Sequence, residues 1–70
     1  MATRTYTAII HKEDDIYVAD CPETGTVSQG YSVSEAIDNL KEATELYLEE
    51  FPAPKAQKPI MKSFEVAVNA

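Results

Sequence analysis

Seventy residues with twelve acidic and six basic side chains, for a net charge of −6, allow one small acidic domain. That balance excludes a phosphate-neutralising surface: the overall field repels nucleic acid, and Arg4, Lys12, Lys41, Lys55, Lys58 and Lys62 are scattered. A single cysteine excludes an internal disulfide, and His11 with Cys21 falls short of a four-ligand zinc site.

A chain this short buries only about 60% of its unfolded surface, so self-association is the expected supplement to its core. The opening "MATRTYTAII" has no apolar run long enough for a signal peptide or a membrane span. A lone free thiol suits a reducing compartment, and the expected location is cytoplasmic. The acidity serves solubility on one reading and an acidic face for a basic protein on the other. Charge alone does not separate them.

Residues 4–11, "RTYTAIIH", are β-branched and aromatic and predict a first strand. "HKEDD" is a polar turn, and "IYVADC" (16–21) predicts a second strand that closes an antiparallel hairpin. "PETG" is a further turn, in which Pro22 fixes φ and Gly25 admits the left-handed region. "TVSQG" (26–30) predicts a third strand, antiparallel to the second, and Gly30 permits the bend from this strand into a helix.

The spacing of Ser32 and Glu35 is that of a capping box and places the helix start there. Val33, Ala36, Ile37, Leu40, Ala43, Thr44, Tyr47, Leu48 and Phe51 recur at three- and four-residue steps and form one apolar side. Pro52 stops the helix near Glu50. "PAPKAQKP" (52–59) reads as a stiff, extended linker. "MKSFEVAVNA" (61–70) alternates, with Phe64, Val66 and Val68 on one side and Ser63, Glu65 and Ala67 on the other, and predicts a fourth strand.

The expected fold is α+β, in the order β-β-β-α-β. A right-handed crossover would set the last strand parallel to the first, giving a four-stranded mixed sheet in order 3-2-1-4, covered on one face by one helix. The face left open is expected to carry Tyr6, Ala8, Ile10, Tyr17, Ala19 and Cys21 or their neighbours, and to serve association together with the sheet edge. Tyr6, Tyr17 and Leu46 are the expected contacts of a homodimer or larger homo-oligomer. Leu46 enters because it lies on the helix roughly opposite Ile37, outside the apolar side.

Three pieces in register, "DCPETG", "VSQG" and "YSVSEAI", together with the closing strand, resemble the HicB antitoxins and their stand-alone HicB-like relatives. The resemblance covers nearly the whole chain. It implies a partial ribonuclease-H-like fold and a partner, a small basic HicA-type ribonuclease toxin whose active site the domain covers. Two departures stand out. "PETG" is about one residue shorter than the family's usual turn, and the chain ends at Ala70 without room for the C-terminal DNA-binding segment of longer relatives. Operator binding, or any direct contact with nucleic acid, is therefore not expected.

The ribonuclease-H-like shape raises the question of catalysis. Two-metal hydrolysis needs converging carboxylates, and "RTYTAII" supplies none. Glu35 is the partner in the capping box, and Glu65 reads as solvated. His11 has no orienting acid beyond its own turn, and nothing cationic near Cys21 in sequence lowers its pKa. No enzyme activity, cofactor or metal is expected. The candidate partner-binding residues are the acidic prong Glu13, Asp14 and Asp15, extended by Asp20 and Glu23. The expectation is a HicB-like antitoxin or protein-binding module. The alternative is an orphan oligomeric scaffold or small-ligand-binding domain with no toxin.

Overall fold

The computed structural model describes residues 3–52 and 59–69. Strands β1 (Ile9–Glu13) and β2 (Ile16–Cys21) form an antiparallel hairpin closed by Asp14 and Asp15, and β3 (Thr26–Gly30) pairs with the far side of β2. The sheet order is β1-β2-β3, and helix α1 (Val33–Glu50) follows β3 after two residues. The class is α+β.

The first strand differs from its predicted span. The ladder takes in His11, Lys12 and Glu13 and leaves residues 4–8 outside, so the turn shrinks to two residues. Both ends have a physical cause. At the turn, Asp14 adopts φ 54°, a left-handed conformation that aspartate tolerates better than most side chains. At the other end, the register pairs Ile9 with Asp20 and would bring Thr7 opposite Pro22, which has no N–H to donate. The Thr7 N–H goes instead to the Glu23 carboxylate at 3.1 Å.

The "PETG" turn forms as expected. Gly25 sits at φ 77° and its N–H donates to the Cys21 carbonyl at 2.8 Å. The helix starts at Ser32, whose hydroxyl accepts the Glu35 N–H at 3.0 Å. The reciprocal bond is displaced by one residue, because the Glu35 carboxylate accepts from the Tyr31 N–H at 2.8 Å. At the far end, the Phe51 N–H donates to the Tyr47 carbonyl at 2.8 Å and the two rings stack with centroids 5.1 Å apart.

The core lies between the sheet and α1: Ala19 and Cys21 from β2 meet Ala36 and Leu40 from the helix. Tyr6, Ile10 and Tyr17 pack against this cluster, partly buried. This narrows the expectation for the open face to the neighbours of the residues named. Residues 6, 10, 17, 19 and 21 share the helix side, and their alternate neighbours Ile9, His11, Val18 and Asp20 face away from the helix. Small residues at the crossing bring the layers close. A Cβ on Gly30 would stand 2.6 Å from the Ala36 nitrogen, so only glycine fits there.

The helix buries a narrower line than its periodicity predicts. Ala36, Leu40 and Thr44 are buried, whereas Val33, Ile37, Tyr47 and Phe51 on either flank are exposed. Three strands are too few to cover the whole apolar side. The expected fourth strand is not assigned: residues 59–69 carry no ladder, and Phe64, Val66 and Val68 are exposed. The mixed order 3-2-1-4 therefore reduces to an antiparallel three-stranded sheet. Most of the linker (53–58) and Ala70, the last residue of the expected strand, lie outside the described residues. Among the described residues, no helix is long and apolar enough to cross a membrane.

Candidate functional site

The face of the sheet opposite α1 is built by period-two alternation. Its residues are Ile9, His11 and Glu13 from β1, Ile16, Val18 and Asp20 from β2, and Val27 and Gln29 from β3. Cross-strand pairing aligns Ile9, Asp20 and Val27 in one row and His11, Val18 and Gln29 in the next. Ile9 and Val27 are exposed, and Ile16 and Val18 are half-buried. A water-facing apolar stripe thus runs through a set of polar neighbours.

His11 links two of the predicted carboxylates on this face. Its Nε2 lies 3.3 Å from Glu13 Oε2 and its Nδ1 lies 4.0 Å from Asp20 Oδ2. Sequence reasoning tied His11 only to its own turn. Asp20 is nine positions away and reaches it because the register sets Ile9 against Asp20 and His11 against Val18. Asp14 and Asp15 project from the hairpin tip, beyond Glu13, and both are exposed. The structure therefore groups Glu13, Asp14 and Asp15 at the tip and brings Asp20 to them through His11.

Glu23 is placed elsewhere. It follows β2 at the opposite end of the hairpin, where its carboxylate accepts the Thr7 N–H at 3.1 Å and the Thr7 hydroxyl at 2.9 Å. The Cys21 thiol donates to it at 3.4 Å. Partial burial pushes the Glu23 pKa up, but the hydrogen bonds from Thr7, from its own backbone N–H and from Cys21 outweigh this, and the net value is lowered. These bonds hold Glu23 against Thr7 at the far end of the hairpin, away from the acidic tip.

The expected oligomer contacts also separate. Tyr6 and Tyr17 lie on the helix side against the core, and Lys12 Nζ stands 5.7 Å over the Tyr17 ring. Leu46 is exposed on α1 beside Ala43, Tyr47, Glu50 and Phe51. A groove of about 710 Å³ runs between residues 3–8 and the helix, walled by Tyr6, Ala8, Ile37, Leu40 and Leu48 and floored by Cys21. Nothing in the sequence pattern singled out this groove. Its signal was the breadth of the helix's apolar side, which exceeds what three strands cover.

Chemically, the open face and its tip offer carboxylates beside apolar side chains, an arrangement suited to Lys- and Arg-bearing protein surfaces. The observed β1 does contain a carboxylate, Glu13, at its turn end. Even so, among the described residues no group of three His, Cys, Asp or Glu side chains is placed to hold a metal ion. Glu35 is held in the helix cap by Tyr31.

No family model matches the chain, and no solved structure matches it. Three known proteins do. It is 41% identical over 70 residues to a UPF0150 protein of Synechocystis sp., covering 90% of this chain and 87% of the relative. It is 36% identical over 67 residues to a UPF0150 protein of Thermoplasma acidophilum, covering 93% and 97%. A UPF0150 protein of Helicobacter pylori is 49% identical over 47 residues, covering 66% of this chain and 65% of that protein.

Proposed function

The chain belongs to the UPF0150 family, and we propose, from its sequence motifs and its acidic tip and open face, that it is a HicB-like antitoxin, a binding module that neutralises a small basic HicA-type ribonuclease by covering its active site. The observation that carries this reading is the junction of the acidic hairpin tip (Glu13, Asp14, Asp15) with the open face bearing Asp20, Ile9, Val18 and Val27. The tip supplies long-range attraction and registers the partner. The apolar stripe supplies the desolvated contact that gives lasting affinity. Residues 61–69, set parallel beside β1, would complete the order 3-2-1-4 of a partial ribonuclease-H-like sheet. A net charge of −6 favours encounter with a basic protein, at a rate that falls as salt rises.

The test is to mix the purified chain with a HicA-type protein encoded in the same genome and follow mass by light scattering and cleavage of RNA. A complex of fixed stoichiometry that no longer cleaves RNA is the expected result. A double variant Asp14→Asn, Asp15→Asn keeps a side chain that tolerates the turn geometry and should weaken the complex about tenfold, equivalent to about 1.4 kcal/mol. Absence of any complex sinks the proposal. The alternative, an orphan oligomeric scaffold or small-ligand binder, has the groove beside α1 in its favour, because its size lies in the range of ligand pockets.

A further inference from the structure

We propose that the groove between residues 3–8 and α1 receives residues 60–69 of a second copy, so that two chains exchange their C-terminal segments and each completes the other's sheet. Two uncovered surfaces of matching chemistry support the exchange. The groove is about 710 Å³, with Tyr6, Ala8, Ile37, Leu40 and Leu48 as its apolar walls. The segment presents Phe64, Val66 and Val68 on one side of an alternating sequence, and these are 85%, 65% and 79% exposed. An apolar, strand-patterned stretch left in water and an unpaired sheet edge are features that proteins otherwise cover or pair.

The edge is of the right kind. Among the described residues β1 pairs only with β2, so its outer side has backbone groups for another strand. A segment laid along that edge would also lie over Ile37 of α1, which the three strands leave exposed, and the half-buried Leu48.

Two observations point to a second copy rather than to the chain's own segment. The Cα radius of gyration is 14.5 Å and the longest dimension 51 Å, whereas a 70-residue chain closed on its own core has a radius near 11 Å. The residues lining the groove include none of 60–69, so the chain's own C-terminal segment stands outside it. The sequence joining it to the helix, residues 52–59, contains Pro52, Pro54 and Pro59, which fix φ and oppose the tight reversal that self-docking requires. A reciprocal exchange about a two-fold axis fills both grooves and leaves neither segment free, so the assembly closes at two chains. This proposal does not depend on the antitoxin reading, and no toxin enters its test.

Cys21 floors the groove and is the chain's only cysteine, which makes it a native cross-linking reporter. Phe64→Cys, Val66→Cys and Val68→Cys are made singly in the full chain, with Glu65→Cys as the opposite-face control. Each is oxidised with copper phenanthroline at micromolar concentration and run on denaturing, non-reducing gels. Light scattering on the unmodified chain is expected to give twice the 7.7 kDa of one chain. At least one of the three variants should run as a covalent dimer, several-fold more than the Glu65→Cys control, and adding Cys21→Ser should abolish it. A cross-linked monomer would show that the segment docks in its own groove and overturns the exchange. So would a monomeric mass for the unmodified chain, a dimer in which none of the three variants cross-links, or a cross-link that survives Cys21→Ser.

Discussion

Thr7 donates both its N–H and its hydroxyl to the carboxylate of Glu23, sixteen positions further along the chain, at 3.1 and 2.9 Å. This clasp stands where the β1–β2 ladder runs out. Pro22 has no N–H to donate, so the ladder cannot continue in both directions there, and the Glu23 carboxylate takes the Thr7 N–H and hydroxyl in its place. Residues 3–8, one side of the groove, are thus tied to the β2–β3 turn by a side chain rather than by a strand.

Replacing Glu23 by Gln removes a charge-assisted acceptor and is expected to cost about 1 kcal/mol at neutral pH. The pH dependence has a definite sign. The folded-state pKa of Glu23 is lowered from its ordinary 4.5, so the carboxylate contributes stability above that value and loses it as pH falls through the lower, folded-state one. Urea midpoints of the two proteins should differ at pH 7 and converge as the pH falls below the lowered Glu23 pKa. A constant offset across that range would show that the clasp is not ionic.

Gly30→Ala should destabilise by roughly 1–3 kcal/mol. The added methyl would stand 2.6 Å from the Ala36 nitrogen and 2.9 Å from the backbone carbon and the Cβ of Glu35, atoms that no rotamer change moves. Thermal denaturation followed by circular dichroism checks it; an unchanged midpoint would mean that the helix leaves room for a methyl against β3.

Three hydroxyls connect the second turn to the helix. Thr24 lies 2.7 Å from Thr26, and Thr26 lies 2.8 Å from the buried Thr44. Thr44→Val should cost about 1 kcal/mol. In a double-mutant cycle with Thr26→Val the losses should be less than additive, because the Thr26–Thr44 bond is lost only once, while the Thr24 hydroxyl loses Thr26 equally in the single and the double variant. Full additivity would show that the two side chains do not interact.

At the hairpin tip, Asp14→Asn should leave stability nearly unchanged, and Asp14→Val should cost roughly 1–2 kcal/mol, because a β-branched side chain resists φ 54°. Equal effects of the two substitutions would separate the turn from backbone geometry.

The sequence made the helix legible almost to the residue, because Ser32, Glu35 and Pro52 act locally and depend on no distant partner. β3 was equally clear between Gly25 and the capping residues. The first strand was misjudged at both ends, since its extent is set by what lies across the ladder: the pairing of Glu13 with Ile16 at one end and Pro22 at the other. Which set faces away from the helix, residues 6, 10, 17, 19 and 21 or their neighbours, stayed open for a related reason. Both faces of β2 are apolar, Ile16 and Val18 on one and Tyr17, Ala19 and Cys21 on the other, so alternation names two faces without saying which one the helix covers. For residues 61–69 the pattern gave a strand propensity, and propensity alone assembles no ladder without a neighbour. The acidic tip could be read from "HKEDD", but the approach of Asp20 to His11 and the diversion of Glu23 to Thr7 are products of register.

Gly30 and Ala36 bring the start of α1 against β3, and the buried line along the helix stops at Thr44. Beyond Thr44 no helix residue is fully buried and only Leu48 is half-buried, which makes the helix a lever clamped more firmly at one end. Thermal motion of such a lever grows with distance from the clamp, so amide exchange should be slowest around Ala36–Leu40 and quicken toward Glu50. Ile37 and Leu48 stand at the two ends of the same groove wall, one near the clamp and one near the free tip. The groove is therefore stiff at one end and yielding at the other, and whatever enters it meets a wall that gives way gradually along its length.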